Sequence, residues 1–515
     1  MRTDELNRAR ECARLTMPWI LPEENRTVGT RLFTNNQSLG SRGVSVVAGK
    51  LLMALFPPDQ PWFGIDLSPE FQYNSDIPAD FKQAVADRLW LQQLQIAATI
   101  ESSDLLTVSR PGVGFRIGQH HSIMQMLVTG DTLEELTDDY KIEVHRRDRY
   151  VTKRDDAGCV LYHIVKKRID PVELSQEDWV AAKLDPEIRQ RPVSQRMLDL
   201  YTYHEWQHSA GGWVIKQEVN GYEIRVSEEA VSRLISTPFQ LVTGENYGHG
   251  LVEQNGGDLA SLDFLTAKLR EAVGNMARMV PVLDSASAMD EEDLVRPSGE
   301  VIRGRVNGGA VQDAAFLQSN KHADVAAVSQ YIQLLSRDLA KAFLLESAVQ
   351  PQKERVTARQ IDTITEEVQG ALGGLFIPIS EHKTLPILRR VRWQMKRDGL
   401  IPAMKKEAER MVRYRVLTGL PALARQATIG RVVNFAQTVA ALGPQAMARI
   451  DEGVLIRMLE RANNFYEPGL VKTNEQVAAE QQQAIRAQAQ IAANEQIAKT
   501  AGNVVETAAG AGVGA

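Results

Sequence analysis

Cysteine is nearly absent. Two residues, Cys12 and Cys159, stand in a chain of 515, too few for a disulfide framework or a cysteine-rich metal site. That scarcity fits a reducing, intracellular origin. A long apolar run is missing as well. The most hydrophobic stretch, VSVVAGKLLMALF at 44–56, is too short for a membrane span and carries Lys50. The first residues, MRTDELNRARECARL, hold no apolar signal region, so no membrane partner is expected. An excess of positive charge is lacking too, the net charge being −6. This argues against a dedicated tight nucleic-acid binder, which is usually basic, but is compatible with a protein past which DNA slides. Hydrophobic residues make up 43% and charged residues 24%, enough to bury a core. The length predicts several domains or subdomains.

Helical and strand-rich blocks alternate coarsely rather than in a βαβ rhythm. Residues 1–56 read as helical up to Pro57 and Pro58, 61–66 (PWFGID) as a short strand, and 78–137 mainly as helices. Between 141 and 243 the texture is antiparallel β: KIEVHRRDRYVTK and CVLYHIVKK flank DDAG, LDLYTYHEW and GWVIKQEV flank HSAGG, and GYEIRVS and PFQLVTG come after them. From 258 the spacing of Leu262, Leu265, Leu269, Val273 and Met276 predicts a helix that Pro281 stops. A Gly-rich, charged segment, RPSGEVIRGRVNGGAVQD, occupies 296–313. A second helix carries Val325, Val328, Ile332, Leu335, Leu339 and Phe343, and Pro351 interrupts the chain beyond it. Thr357 and Gln360 have the spacing of a capping box, so a third helix is expected to start there. Gly370, Gly373, Gly374 and Pro378 should kink or break it, with resumption after Pro386. Residues 401–466 read as shorter helices, 473–498 as an Ala/Gln-rich helix, and TAAGAGVGA as a disordered end.

Two short motifs suggest chemistry. HEWQH at 204–208 matches the zinc-protease signature, which needs a helix to turn both imidazoles toward one ion. Its flanks read as strand, turn and strand, and residues four apart on a strand are separated by roughly 13 Å. GVSVVAGKL at 43–51 looks like a phosphate-binding loop, yet its glycines are one residue too far apart, and Leu51 replaces the Ser or Thr that would hold Mg²⁺. His120 and His121 are adjacent and point different ways on a helix. The basic runs RRVRWQMKR (389–397) and KKEAERMVRYR (405–415) can touch phosphates or form a solvated face. No catalytic residue, metal ligand or cofactor site is assigned, and no enzyme is expected.

The order of elements, helix, Gly-rich charged insert, helix, short charged loop and long kinked helix, resembles the core of viral portal proteins. GSRGVSVVAGKLLMALFPPDQPWF (40–63), NYGHGLVEQNGGDLASLDFL (246–265), AFLLESAVQPQKERVTARQI (342–361), LGGLFIPISEHKTLPILRRV (372–391) and the Gly/Ala-rich end carry a closer match. They resemble the head-to-tail connector proteins of short-tailed, podovirus-type, autographivirus-like bacteriophages.

That resemblance implies an α+β, mainly α, portal fold. Residues 1–257 would form a wing with antiparallel strands at about 141–243, 258–280 and 319–345 two stem helices, and 281–318 a clip. Residues 346–356 would be a tunnel loop, 357–400 a long kinked wing helix, 401–470 a helical crown and 471–515 a C-terminal helix and tail. It further implies a homo-oligomeric ring, dodecameric in the virion, at one capsid vertex, assembled in the host cytoplasm. The ring would be the channel for packaging and ejecting double-stranded DNA without sequence specificity. Its implied partners are the terminase large subunit, the tail adaptor, the major capsid protein, the scaffold and the internal core proteins. Gln350, Lys353, Glu354 and Arg355 would face the DNA, and Arg296, Arg303 and Arg305 would serve docking at the clip. The competing expectations are a zinc metalloprotease built on HEWQH and a scaffold or internal virion protein that forms no ring.

Overall fold

In this computed structural model the described residues are 2–23, 31–57, 62–74, 76–104, 113–209, 211–276, 280–283, 306–307, 310–311, 314–317, 322–345, 368, 370, 373–402, 404, 409–417, 433–439 and a few isolated positions beyond. The chain divides into two compact units, Met1–Gly419 and Leu420–Ala515. In the second unit, residues 433–439 are helical.

The first unit is built around a helix with little polar surface. Helix α1 (Arg2–Leu15) precedes α2 (Leu39–Leu55), whose Val44, Val47, Ala48, Leu51 and Leu55 are fully buried. A helix apolar nearly all round belongs inside a protein. Strand β1 (Phe63–Leu67), the single turn α3 (Pro69–Gln72), the long α4 (Ala79–Asp104) and α5 (Phe115–Thr129) surround it. Phe56, Trp62 and Phe115 pack beside its C-terminus, with ring centroids 5.0 Å (Phe56 to Trp62) and 5.4 Å (Phe56 to Phe115) apart and near-perpendicular.

Strands β2 (Asp131–Leu136) and β3 (Ile142–His145) come next, then β4 (Tyr150–Arg154) and β5 (Val160–Ile169). Short helices α6 (Gln176–Ala181) and α7 (Val193–Arg196) lead to β6 (Leu198–Gln207), β7 (Gly212–Val219), β8 (Tyr222–Glu229) and β9 (Leu234–Pro238). Strands β4 to β8 form a five-stranded antiparallel meander, and β3-β2-β9 form a second sheet. The β7–β8 turn places Asn220 and Gly221 at φ 55° and 78°, the left-handed pair that a two-residue hairpin favours. Asp131–Leu136 falls where helix was expected. It is buried on both faces, so no alternation marks it.

Helices α8 (Leu251–Gln254) and α9 (Gly256–Met276) precede four short strands, β10 (Val280–Leu283), β11 (Val306–Asn307), β12 (Ala310–Val311) and β13 (Ala314–Leu317). Pro281, expected to stop α9, lies in β10, and residues 277–279 between the two elements lie outside the described ones. Helix α10 (His322–Ala342), α11 (Phe376–Arg397) and β14 (Val412–Val416) are the remaining named elements among the described residues of the unit. Strand β14 pairs with β1, Phe63 opposite Val416 and Leu67 opposite Val412. Residues up to 419 thus belong to the first unit, and 412–416 are a strand where only helices were expected. The alternation in VRYRV is the signal, hidden by its basic composition.

Helix α11 runs unbroken through Pro386, against the expectation that it would resume only beyond that residue. Pro386 forfeits one helical hydrogen bond, and side chains on three sides hold the helix in place. Lys383, fully buried, donates to Glu134 at 2.7 Å and Ser122 at 2.8 Å. Arg390 donates to Glu229 and to the Val231 carbonyl at 2.8 Å. Arg392 reaches Glu409 at 3.0 Å, the Tyr414 hydroxyl at 2.9 Å and Gln92 at 3.1 Å. Removing one member of a buried pair leaves the other charge stranded at about 3–5 kcal/mol, whereas replacing both is often near neutral. Lys383→Met is therefore expected to destabilise the first unit by that amount in urea titrations, and Lys383→Met with Glu134→Leu to recover most of it. A double variant as unstable as the single one would contradict this assignment.

Candidate functional site

The antiparallel pair α9 and α10 carries four large apolar side chains that stay exposed, Phe264, Val273, Tyr331 and Leu334. At about 1.5 Å per residue each helix is roughly 30 Å long. At their base the seam is closed: Leu259 and Leu262 of α9 and Leu335, Leu339 and Phe343 beside them are buried. Farther out, the same three-and-four spacing continues through Leu265, Leu269, Val325, Val328 and Ile332, which are only half-buried, and Val273 is exposed. Phe264, Tyr331 and Leu334 lie off that seam, and each exposes more than half its surface, 61%, 53% and 58%. Sequence spacing missed these three because they sit outside the main stripe. Their signal is that a solvated helix face carries large apolar residues where Lys or Glu would be ordinary.

At the far end of the pair, β10 and β13 are antiparallel, with Val280 opposite Leu317 and Pro281 opposite Phe316. Strands β11 and β12 pair Val306 with Val311. The residues expected to dock partners here, Arg296, Arg303 and Arg305, lie outside the described residues. At the near end, α10 stops at Ala342, well before Pro351, which is therefore not what ends it. Leu344 adopts φ 54°, and Leu345 N–H bonds back to the Ala340 carbonyl at 2.8 Å, a Schellman stop. Gln350, Lys353, Glu354 and Arg355, and the expected helix start at Thr357, also lie outside the described residues.

The basic run at 389–397 is largely consumed by packing. Arg390 and Arg392 are buried in ion pairs with Glu229 and Glu409, and Arg397 bonds to Asp398 at 2.9 Å. Arg413 and Arg415 point outward from β14, with Arg415 2.9 Å from Asp66. Arg389, Arg410, Arg413 and Arg415 of the two runs stay exposed.

HEWQH does not have its protease geometry. His204 lies on β6 opposite His163 and Ile215, buried, with Glu205 exposed beside it. His208 falls in the turn after the strand. Among the described residues no three His, Cys, Asp or Glu side chains are grouped to hold a metal. His204 instead lines a cavity of about 170 Å³ with Glu135, Lys167, Thr202, Gln217 and Arg233, its Nδ1 buried without a hydrogen-bond partner. GVSVVAGKL is the interior of α2, and Lys50 is wholly buried, donating to a backbone carbonyl, that of Leu344, at 3.0 Å.

Residues 1–467 match the family described as bacteriophage head to tail connecting protein. The chain is 28% identical to the portal protein of Enterobacteria phage T3, over 92% of this chain and 86% of that one. It is 26% identical to the portal protein of Escherichia phage T7, over 91% and 85%. It is 24% identical to that of Enterobacteria phage SP6, over 98% and 94%.

Burial lowers the pKa of His204 from 6.5 to about 4, and burial likewise takes His163 well below its ordinary value. An unfolded chain binds these protons at higher pH than the folded one. The stability they contribute is thus complete above about pH 6.5 and is lost as pH falls toward 4, up to roughly 3 kcal/mol for His204. Urea midpoints are expected to drop across that window, and His204→Gln to flatten the drop. Parallel pH profiles for the two proteins would refute the assignment.

Proposed function

Because the chain belongs to the bacteriophage head-to-tail connecting protein family, we propose that it is a portal, a closed ring of identical subunits at one capsid vertex. Double-stranded DNA enters through the ring during packaging and leaves through it at infection. The observation that carries the proposal is the exposed apolar surface of α9 and α10. Burying a side chain such as Phe264 or Leu334 contributes about 1.5–3 kcal/mol, a gain that a lone subunit forgoes at each position and a neighbour recovers. A head-to-tail contact repeated by rotation closes a ring, and a dodecamer is the expected size.

Within that ring α9 and α10 are the stem helices. Residues 281–318 are the clip, where Arg296, Arg303 and Arg305 dock first the terminase large subunit and later the tail adaptor. Residues 346–356 are the tunnel loop, and Gln350, Lys353, Glu354 and Arg355 form circles of mixed charge around the duplex. Mixed charge suits passage. A ring of unopposed Lys and Arg would displace many counterions and grip the phosphates, and the chain's net charge of −6 favours sliding in the same way. The crown faces the capsid interior, and the major capsid protein, scaffold and internal core proteins are further partners. ATP hydrolysis belongs to the docked motor. The phosphate-loop lookalike is a packed helix, and HEWQH runs from strand into turn.

Sedimentation of the purified protein is expected to show closed rings, and Phe264→Asp with Leu334→Asp to shift them to monomers. A monodisperse wild-type monomer at micromolar concentration would defeat the proposal. Lys353→Ala with Arg355→Ala should leave rings intact and alter packaging or retention of DNA. Charge reversal at Arg303 and Arg305 should leave rings intact and impair docking of motor or adaptor, since rim charges govern encounter and specificity. Normal packaging and tail attachment by the reversed rings would remove the clip assignment.

A further inference from the structure

We propose that Gly43 and Lys50 of α2 form a clamp that fixes where the chain leaves α10, making Lys50 a positioning residue for the segment after Leu345. The two residues are two turns apart and share one face of α2. Both meet the end of α10. A Cβ on Gly43 would stand 2.6 Å from Cγ and 2.8 Å from Cβ of Phe343, closer than real Cβ contacts. Only glycine lets the fully buried Phe343 seat there. The second contact is so near the backbone that a side-chain rotation alone cannot relieve it.

Lys50 supplies the other jaw. Side chains on a helix lean toward its N-terminus, which carries the Lys50 Nζ back along α2 to the Leu344 carbonyl, 3.0 Å away. That carbonyl belongs to the helix end, where partial negative charge collects and a cationic donor is favourable. Leu344 holds φ 54° without being glycine, a conformation that disfavours a side chain. The stop is therefore strained, and an external bond keeps it in register. Leu344 N–H to the Lys341 carbonyl at 3.0 Å and Leu345 N–H to that of Ala340 at 2.8 Å complete it. A clamp of this kind gives every subunit the same exit point and direction. It thereby couples α2, in the core of the first unit, to whatever the residues beyond Leu345 contact. That consequence rests on the portal reading. The clamp itself does not.

The test is hydrogen exchange on the purified full-length protein, comparing wild type, Lys50→Met, which keeps the bulk and removes the donor, and Lys50→Arg, which keeps a donor. The expected result is exchange about tenfold faster at Leu344 and Leu345 in the Met variant, with α2 and Leu335–Leu339 unchanged and the Arg variant closer to wild type. A role limited to core stability would instead raise exchange throughout α2 and α10 and would overturn the proposal, as would unchanged exchange at 344–345. Should Lys50→Met alone not fold, the comparison is made in a Leu344→Gly background, where relief of the strain should leave a smaller but still local rise in exchange at 344–345; a rise throughout α2 and α10, or none at 344–345, would overturn the proposal. Ring formation is scored separately. A wild-type monomer that still shows the local effect defeats the portal reading and keeps the clamp. A ring whose exchange at 344–345 is indifferent to Lys50→Met does the reverse.

Discussion

The seating of the last turn of α10 on α2 ties the helix pair α9 and α10 to the core of the first unit. A pair of helices that project with half-covered apolar seams needs one end fixed to a body that does not yield. Close-packed interiors transmit displacement rather than absorb it. Helix α2 supplies that body: its apolar face is sealed by α5, the aromatic cluster at Phe56, Trp62 and Phe115, and Phe343 itself. From that base the burial along α9 and α10 falls outward, from Leu339 at 1% exposed to Val273 at 51%. Beside this seam Phe264, Tyr331 and Leu334 stay exposed even where the seam is closed, and on the portal reading these are what a neighbour covers.

A second constraint acts at α11. Three cations, Lys383, Arg390 and Arg392, tie one helix to β2, to the end of β8 and to β14. Buried ion pairs of this kind add little net stability over apolar residues, but they penalise every alternative arrangement in which a charge is left alone. Each cation has a different partner element, so the rotation and the register of α11 are both specified. That is how a helix can carry Pro386 in its interior and remain continuous.

Much of the fold is legible in the sequence where burial falls on one side. The three-and-four spacing of Leu262, Leu265, Leu269 and of Ile332, Leu335, Leu339 marks α9 and α10, and the turn at Asp155 to Gly158 marks the β4–β5 hairpin. Where burial is two-sided or pairing is distant, the pattern fails. Strand β2 is covered on both faces, so DTLEEL reads as helix-compatible. Strand β14 does alternate, but its partner β1 lies almost the whole unit away in sequence, and nothing local announces that pairing. The basic run at 389–397 suggests phosphates because sequence shows the cations and not Glu229 and Glu409, which come from other elements. Lys50 illustrates the same limit: beside glycine and apolar residues it looks like a nucleotide ligand, and only folding reveals the helix end that it serves.

The central claim is that a neighbouring subunit covers the outward apolar surface of α9 and α10. A cryo-electron microscopy reconstruction of the assembled protein tests it directly. The account predicts a closed ring in which Phe264, Tyr331 and Leu334 are buried against the next subunit's helices, with residues 346–356 nearest the axis. A ring in which those three side chains remain in solvent, or in which this helix pair lies on the outer rim, would contradict it.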